Sequence, residues 1–178
     1  MKMNLPNKLT ILRVLMIPFF VFFMLYPSDG VYMKWIALVI FAAASLTDLL
    51  DGKIARKYNL ITNFGKFMDP LADKLLVCSA LICFVANGSI PAWIIIVIIS
   101  REFIISGFRL IASDKGIVLA AGMSGKIKTV LQMVMTIVVI MDIPGWELLE
   151  QILIYAALFM TVYSLADYLY HNQDVLKD

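Results

Sequence analysis

Six apolar runs, each near the length of a membrane-crossing helix, leave this chain little choice of fold. They lie at about 9–26, 33–55, 70–87, 91–112, 118–141 and 147–169. A helix needs roughly 20 apolar residues to cross the hydrocarbon layer. Short polar turns separate the runs: Pro27-Ser28-Asp29-Gly30, Asn59–Gly65, Asn87-Gly88-Ser89-Ile90-Pro91, Ser113–Gly125 and Asp142-Ile143-Pro144-Gly145. Such clusters of Gly, Pro, Asn and Ser interrupt helices. With 62% hydrophobic residues and a mean hydropathy of +0.90, a water-soluble domain of this size is excluded, because its own surface must stay wet. The expectation is an all-α, polytopic integral membrane protein with six transmembrane helices, forming a single domain over residues 1–178. The first apolar run is too long for a signal-peptide core, and no small-residue cleavage site follows it, so it reads as a retained helix.

The net charge of +2 conceals an asymmetry. With the N-terminus inside, the cytoplasmic ends collect Lys2, Lys8, Arg13, Lys53, Arg56, Lys57, Lys66, Lys74, Arg101, Arg109, Lys115, Lys126, Lys128 and Lys177. The opposite ends hold Lys34 with Asp29, Asp142, Glu147 and Glu150. Cytoplasmic loops are enriched in Lys and Arg. Both termini are therefore expected in the cytoplasm. The two cysteines, Cys78 and Cys83, share one apolar run and read as small core hydrophobes rather than a disulfide framework.

Against this apolar background stand four carboxylates: Asp48-x-x-Asp51-Gly52-x-x-Ala55-Arg56, eight residues, then Gly65-x-x-x-Asp69-x-x-x-Asp73. Charge at membrane depth is costly and usually functional. At 100° per residue, and relative to Asp48, Asp51 lies at about −60°, Gly52 at +40°, Ala55 at −20° and Arg56 at +80°. Gly65, Asp69 and Asp73 likewise fall within about 80° of arc on the next helix. Two antiparallel helices thus turn four acids toward one another. Acids that cannot neutralise one another call for a cation, and hard divalent metals take oxygen ligands. A phosphate compound held through that metal is the natural third party. Gly52, Ala55 and Gly65 lack bulk, so a ring or a phosphate can approach the backbone. Arg56 adds a planar fork suited to phosphate. Two blander readings compete: interhelical salt bridges to Lys53, Lys57, Lys66 and Lys74, or an Asp-lined cation path. Neither explains the small residues between the acids.

A second constellation is basic. Arg101 and Arg109 stand eight apart, within about 80° on one helix face, and Lys126 and Lys128 open the next run. Convergent cations suit an anionic second substrate. Positive-inside decoration is the plainer alternative. Thr10 and Arg13, one turn apart at the start of the first run, border the same pocket or anchor the interface. His171 and Asp167 receive no role. Asn7 and Thr62 or Asn63 are expected to cap the first and third helices, and Pro70 to sit near the first turn of the third.

The eight fixed positions resemble the signature of the CDP-alcohol phosphotransferases, D-x2-D-G-x2-A-R-x8-G-x3-D-x3-D, and match it throughout. Within that family the chain is most similar to the bacterial phosphatidylglycerophosphate synthases. Asn4–Arg13, Phe67–Lys74, Arg101-Glu102-Phe103 with Gly107-Phe108-Arg109, and Gly125–Thr129 carry the likeness; Ser106 stands where threonine is expected. The resemblance implies that Asp48, Asp51, Asp69 and Asp73 hold two divalent cations, Mg²⁺ or Mn²⁺, with Asp73 also the general base. It implies that Asp48, Asp51, Gly52, Ala55, Arg56, Gly65 and Asp69 bind the CDP moiety of CDP-diacylglycerol. It further implies that Arg109, Lys126, Arg101, Lys128, Thr10 and Arg13 bind the phosphate of sn-glycerol 3-phosphate. The expected partners are these substrates, membrane lipid and a second copy in a homodimer, with no nucleic acid. The expected location is the cytoplasmic membrane, with the site facing the cytoplasm. Inositol phosphate as acceptor, or a divalent-cation transporter, are the rival readings.

Overall fold

A computed structural model describes residues 4–26, 31–57, 62–117, 119 and 122–173, with side chains described except at 31, 48–57, 63, 64, 66 and 67. It is all-helical among the described residues: α1 (Leu5–Leu25), α2 (Val31–Lys57), α3 (Asn63–Ala86), α4 (Ala92–Asp114), α5 (Met123–Met141) and α6 (Glu147–His171). The chain divides into two compact units, Met1–Asn87 and Gly88–Asp178.

Three of these helices, α1, α5 and α6, are long and apolar enough to cross a membrane; α2 contributes the shorter apolar stretch Tyr32–Thr47. In α3 and α4 the apolar run is broken by Asp69, Asp73 and Lys74, and by Arg101, Glu102 and Arg109. Four of these six residues, Asp69, Asp73, Arg101 and Arg109, are among those singled out for chemistry.

In the first unit α1 packs along both α2 and α3. Near its start, Asn7 and Thr10 bond to Thr62 and Asp69. Near its end, the Met24 carbonyl accepts from Asn87 Nδ2 at 3.1 Å. Contacts that match start with start and end with end make α1 and α3 parallel. Phe20 and Phe41, ring centroids 5.7 Å apart, pack α1 on α2. The outer face of α1 is apolar, with Leu12, Leu15, Phe19 and Phe22 exposed, while Asn7, Thr10 and Arg13 are buried. A chain folding in water would place these the other way round.

Two local details differ from the sequence expectation. Asn4, not Asn7, occupies the N-cap of α1, and Pro6 lies in the first turn, where its missing N–H costs no bond. The Asn7 side chain is thereby released for a long-range contact. Pro70 falls inside α3 rather than near its first turn, as Pro18 falls inside α1. The cap of α3 is as expected: the helix begins at Asn63, and Thr62 accepts from Gly65 N.

In the second unit α6 packs against both α4 and α5. Ser124 at the start of α5 bonds to Asp167 near the end of α6, so those two run antiparallel. Helices α4 and α6 each bury a seam. On α4 it runs through Ile94, Ile98, Arg101, Ile105, Phe108 and Ala112, with Ile95 beside it; on α6 it is Ile154, Ala157, Thr161, Ser164 and Tyr168. The alternating steps of three and four residues mark one helix face. Small residues on the α6 seam allow close backbone approach, the usual basis of helix association where lipid removes the hydrophobic drive. Thr161 and Ser164 satisfy their hydroxyls on the Ala157 and Thr161 carbonyls. Helix α5 starts at Met123, five residues into its expected run, and ends at Asp142 in the left-handed conformation (φ 43°). Gly145 follows with φ 89°. Neither cysteine is in a disulfide; Cys83 is buried and Cys78 partly so.

Candidate active site

Both halves of the acidic motif lie on helices, as their spacing requires. Asp48, Asp51, Gly52, Ala55 and Arg56 occupy the last turns of α2, and Gly65, Asp69 and Asp73 the first three turns of α3. The side chains of the α2 set lie outside the described residues.

On α3 the site is built against the first turns of α1. Thr10, fully buried, donates its hydroxyl to Asp69 Oδ1 at 2.6 Å; the Pro6 carbonyl lies at 3.1 Å as a second acceptor. Asn7, 2% exposed, accepts through Oδ1 from the Thr62 hydroxyl at 2.9 Å. Thr62 Oγ1 in turn accepts from Gly65 N at 3.0 Å. This capping bond satisfies one of the open N–H groups at the start of α3. Gly65 is buried where these side chains meet. A Cβ there would stand 3.2 Å from Asn7 Oδ1, 3.3 Å from Thr62 Oγ1 and 3.4 Å from Asp69 Oδ2. The motif glycine thus lets the α1 turn and the Asp69 carboxylate close over the start of α3. Asp69 is half-buried and Asp73, one turn on, is exposed.

Asp69 and Asp73 offer oxygen donors only, which fits a hard divalent cation. Among the described residues Asp69 receives the hydrogen bond of Thr10, a neutral hydroxyl that adds no charge of its own.

The second unit carries the basic constellation, and the structure separates its members. Arg101 and Lys128 are buried, and both contact Glu102 Oε1: Arg101 Nη1 at 3.1 Å and Lys128 Nζ in a short ion pair. Arg101 Nε is buried without a hydrogen-bond partner among the described residues. Gly125 makes room for this group, since a Cβ there would lie 3.4 Å from Arg101 Nη2. Arg109 lies two turns further along α4. Its Nε donates to the Tyr168 hydroxyl at 3.4 Å, and its guanidinium carbon lies 5.7 Å from that ring's centroid. Phe108 meets Tyr168 edge-on at 5.8 Å, within a core of Ile105, Ala112, Leu165 and Leu169. Lys126 is exposed. Arg13 is fully buried on α1 in the first unit.

The sequence reading passed over Asn7's tertiary role, Glu102 and Tyr168. Each pairs with a residue distant in the chain or hidden beside a more conspicuous charge. Asp167, given no role from sequence, accepts from the Ser124 hydroxyl and lies 3.2 Å from His171 Nδ1. It borders an open cavity of about 580 Å³ with Met160, Tyr163 and Asn172.

A six-helix chain with this eight-position acidic signature on two successive helices belongs to the CDP-alcohol phosphatidyltransferase family: the family model matches residues 3–163. Its relatives narrow the class. The chain is 44% identical to the CDP-diacylglycerol–glycerol-3-phosphate 3-phosphatidyltransferase of Bacillus subtilis (strain 168), over 98% of this chain and 97% of that protein. It is 39% identical to the Haemophilus influenzae protein of the same name, over 100% and 98% of the two chains. A probable phosphatidylglycerophosphate synthase of Mycobacterium tuberculosis is 36% identical over 93% of this chain and 79% of its own.

Proposed function

We infer that this chain is a membrane enzyme of phospholipid synthesis. It transfers the phosphatidyl group of CDP-diacylglycerol to the primary hydroxyl of sn-glycerol 3-phosphate, giving phosphatidylglycerophosphate and CMP. The observation that carries this is the complete eight-position signature in a chain that matches glycerol-3-phosphate phosphatidyltransferases over nearly its whole length.

The finer reading places all six helices across the cytoplasmic membrane, with both termini and the site on the cytoplasmic side. The outward rows of Leu and Phe on α1, and the Lys and Arg collected at one set of helix ends, support it. Asp48, Asp51, Asp69 and Asp73 would hold divalent cations, Mg²⁺ or Mn²⁺ and two in number, whose charge would favour the departure of CMP. Gly52, Ala55, Arg56 and Gly65 form the cytidine and phosphate pocket. The acceptor oxygen attacks the phosphatidyl phosphorus, the bond to the CMP oxygen breaks, and Asp73 takes the hydroxyl proton. The motif offers a base and oxygen ligands but no activated nucleophile, so the transfer is direct. Arg109, Lys126, Arg101 and Lys128 supply positive charge for the acceptor phosphate, and the enzyme acts as a homodimer.

The decisive experiment is an acceptor panel on purified protein with CDP-diacylglycerol and Mn²⁺, reading CMP release. Glycerol 3-phosphate is expected to give release and a lipid-soluble product. Inositol phosphate, serine and phosphatidylglycerol are expected to give little. Release with inositol phosphate instead would move the acceptor assignment. No release with any acceptor, together with Mn²⁺ uptake into vesicles, would favour the transporter reading.

Arg109 is exposed and held against Tyr168, well placed to meet a soluble anion. Arg109→Ala is expected to raise the KM for glycerol 3-phosphate by about 10-fold or more, the scale of a lost charge-assisted hydrogen bond. The KM for CDP-diacylglycerol should change little. Equal effects on both substrates would remove Arg109 from the acceptor site.

A further inference from the structure

We propose that Thr10 is a positioning residue that acts through Asp69: it fixes the rotation of that carboxylate and so sets the affinity of the site for its divalent cation. This rests on the reading of Asp69 as a metal ligand. It takes Thr10 from the acceptor pocket to the metal side of the chemistry.

The geometry is specific. A carboxylate on a helix turns easily about its terminal bond, and that torsion is broad. Here Oδ1 is engaged by the Thr10 hydroxyl at 2.6 Å, and Oδ2 lies 3.4 Å from where a Cβ on Gly65 would stand. The Thr10 bond therefore holds the carboxylate by one oxygen. The holding group is itself immobile. Thr10 is fully buried on the face of α1 that also buries Asn7 and Arg13. Asn7, one turn earlier, is tied through Thr62 to the capped start of α3. Two bonds one turn apart fix the register of α1 against α3, so Thr10 cannot slide relative to Asp69. A hydroxyl suits this work better than an ammonium. It orients the carboxylate without cancelling the charge that attracts a cation. Groups that orient metal ligands in this way are typically worth 10–100-fold in metal affinity.

The test measures Mn²⁺ binding to the full-length protein in detergent, by loss of the free-ion EPR signal, beside the Mn²⁺ dependence of CMP release. Thr10→Val keeps the shape and removes the donor; Thr10→Ser keeps the donor. Thr10→Val is expected to raise both the Mn²⁺ dissociation constant and the half-saturating Mn²⁺ concentration by about 10–100-fold. At saturating Mn²⁺ most of its kcat should return, with the KM for glycerol 3-phosphate unchanged. Thr10→Ser should stay within a few-fold of the parent. Asp69→Asn serves as the control for the underlying reading. If Asp69→Asn weakens Mn²⁺ binding and Thr10→Val does not, this inference fails and the metal reading stands. If Asp69→Asn binds Mn²⁺ like the parent, the metal reading of Asp69 fails and takes this inference with it. If Thr10→Val and Thr10→Ala both unfold in detergent, or if Thr10→Ser loses Mn²⁺ affinity as they do, Thr10 is a packing residue and the proposal is overturned.

Discussion

Asp73→Asn is expected to stop CMP release almost completely, by a factor of about 10³ or more, while the protein remains folded. General-base catalysis alone is worth about 10²–10⁴, and the same carboxylate is read as a cation ligand. The substitution preserves volume and removes the charge and the proton acceptor. Asp73 is exposed, so its loss leaves no packing defect in the core between α1 and α3. Purified variant and parent should elute alike on size exclusion and give the same helical circular dichroism. Turnover near the parent rate would remove Asp73 as base and as essential ligand. An unfolded variant would mean that its role is structural.

The second large effect is expected in the other unit. Glu102 Oε1 is the shared partner of Arg101 and Lys128, which are 7% and 2% exposed. Glu102→Ala removes the carboxylate that Arg101 and Lys128 share, and breaking a buried ion pair by removing one partner costs about 3–5 kcal/mol. The thermal midpoint in detergent should fall markedly, before any question of activity arises. Adding Lys128→Met to Glu102→Ala should restore part of the loss, because it withdraws one of the two buried positive charges. An unchanged midpoint for Glu102→Ala would show that Arg101 and Lys128 reach solvent or other acceptors. This arrangement also refines the anion-binding reading. Arg101 and Lys128 together carry one positive charge more than Glu102 cancels, and the carboxylate holds both heads in place ahead of any ligand.

The two predictions differ in how far sequence alone could reach them. The placement of Asp73 was legible because the motif is a local pattern: Gly65, Asp69 and Asp73 share a helix face by their spacing, and all three lie on α3. The six helices were legible for a similar reason, since long apolar runs between Gly, Pro and Asn turns have few other solutions. Glu102 was not legible. It follows Arg101 directly, and neighbours on a helix do not face each other, so nothing local says that one carboxylate serves both Arg101 and a lysine on α5. Periodicity puts Arg101 and Arg109 on one face of α4, two turns or about 12 Å apart along the axis; what it does not give is the partner that each meets, Glu102 for one and Tyr168 for the other. Thr10 fell on the expected face of α1, yet its partner was set by the packing of α1 on α3. The polar start of α3 lies outside its apolar run, and it was the capping residue Thr62, not hydropathy, that marked it.

The ties between the start of α1 and the start of α3 have a consequence for biogenesis. Asn7 and Thr62 are 55 positions apart, and Thr10 and Asp69 are 59 apart. During synthesis the first segment emerges long before its partners exist, with a buried-type Asn, Thr and Arg on one side of it. Those groups must be shielded by water, lipid head groups or an insertion factor until the third segment arrives. The polar contacts around Gly65 and Asp69 can form only once the third segment has been made.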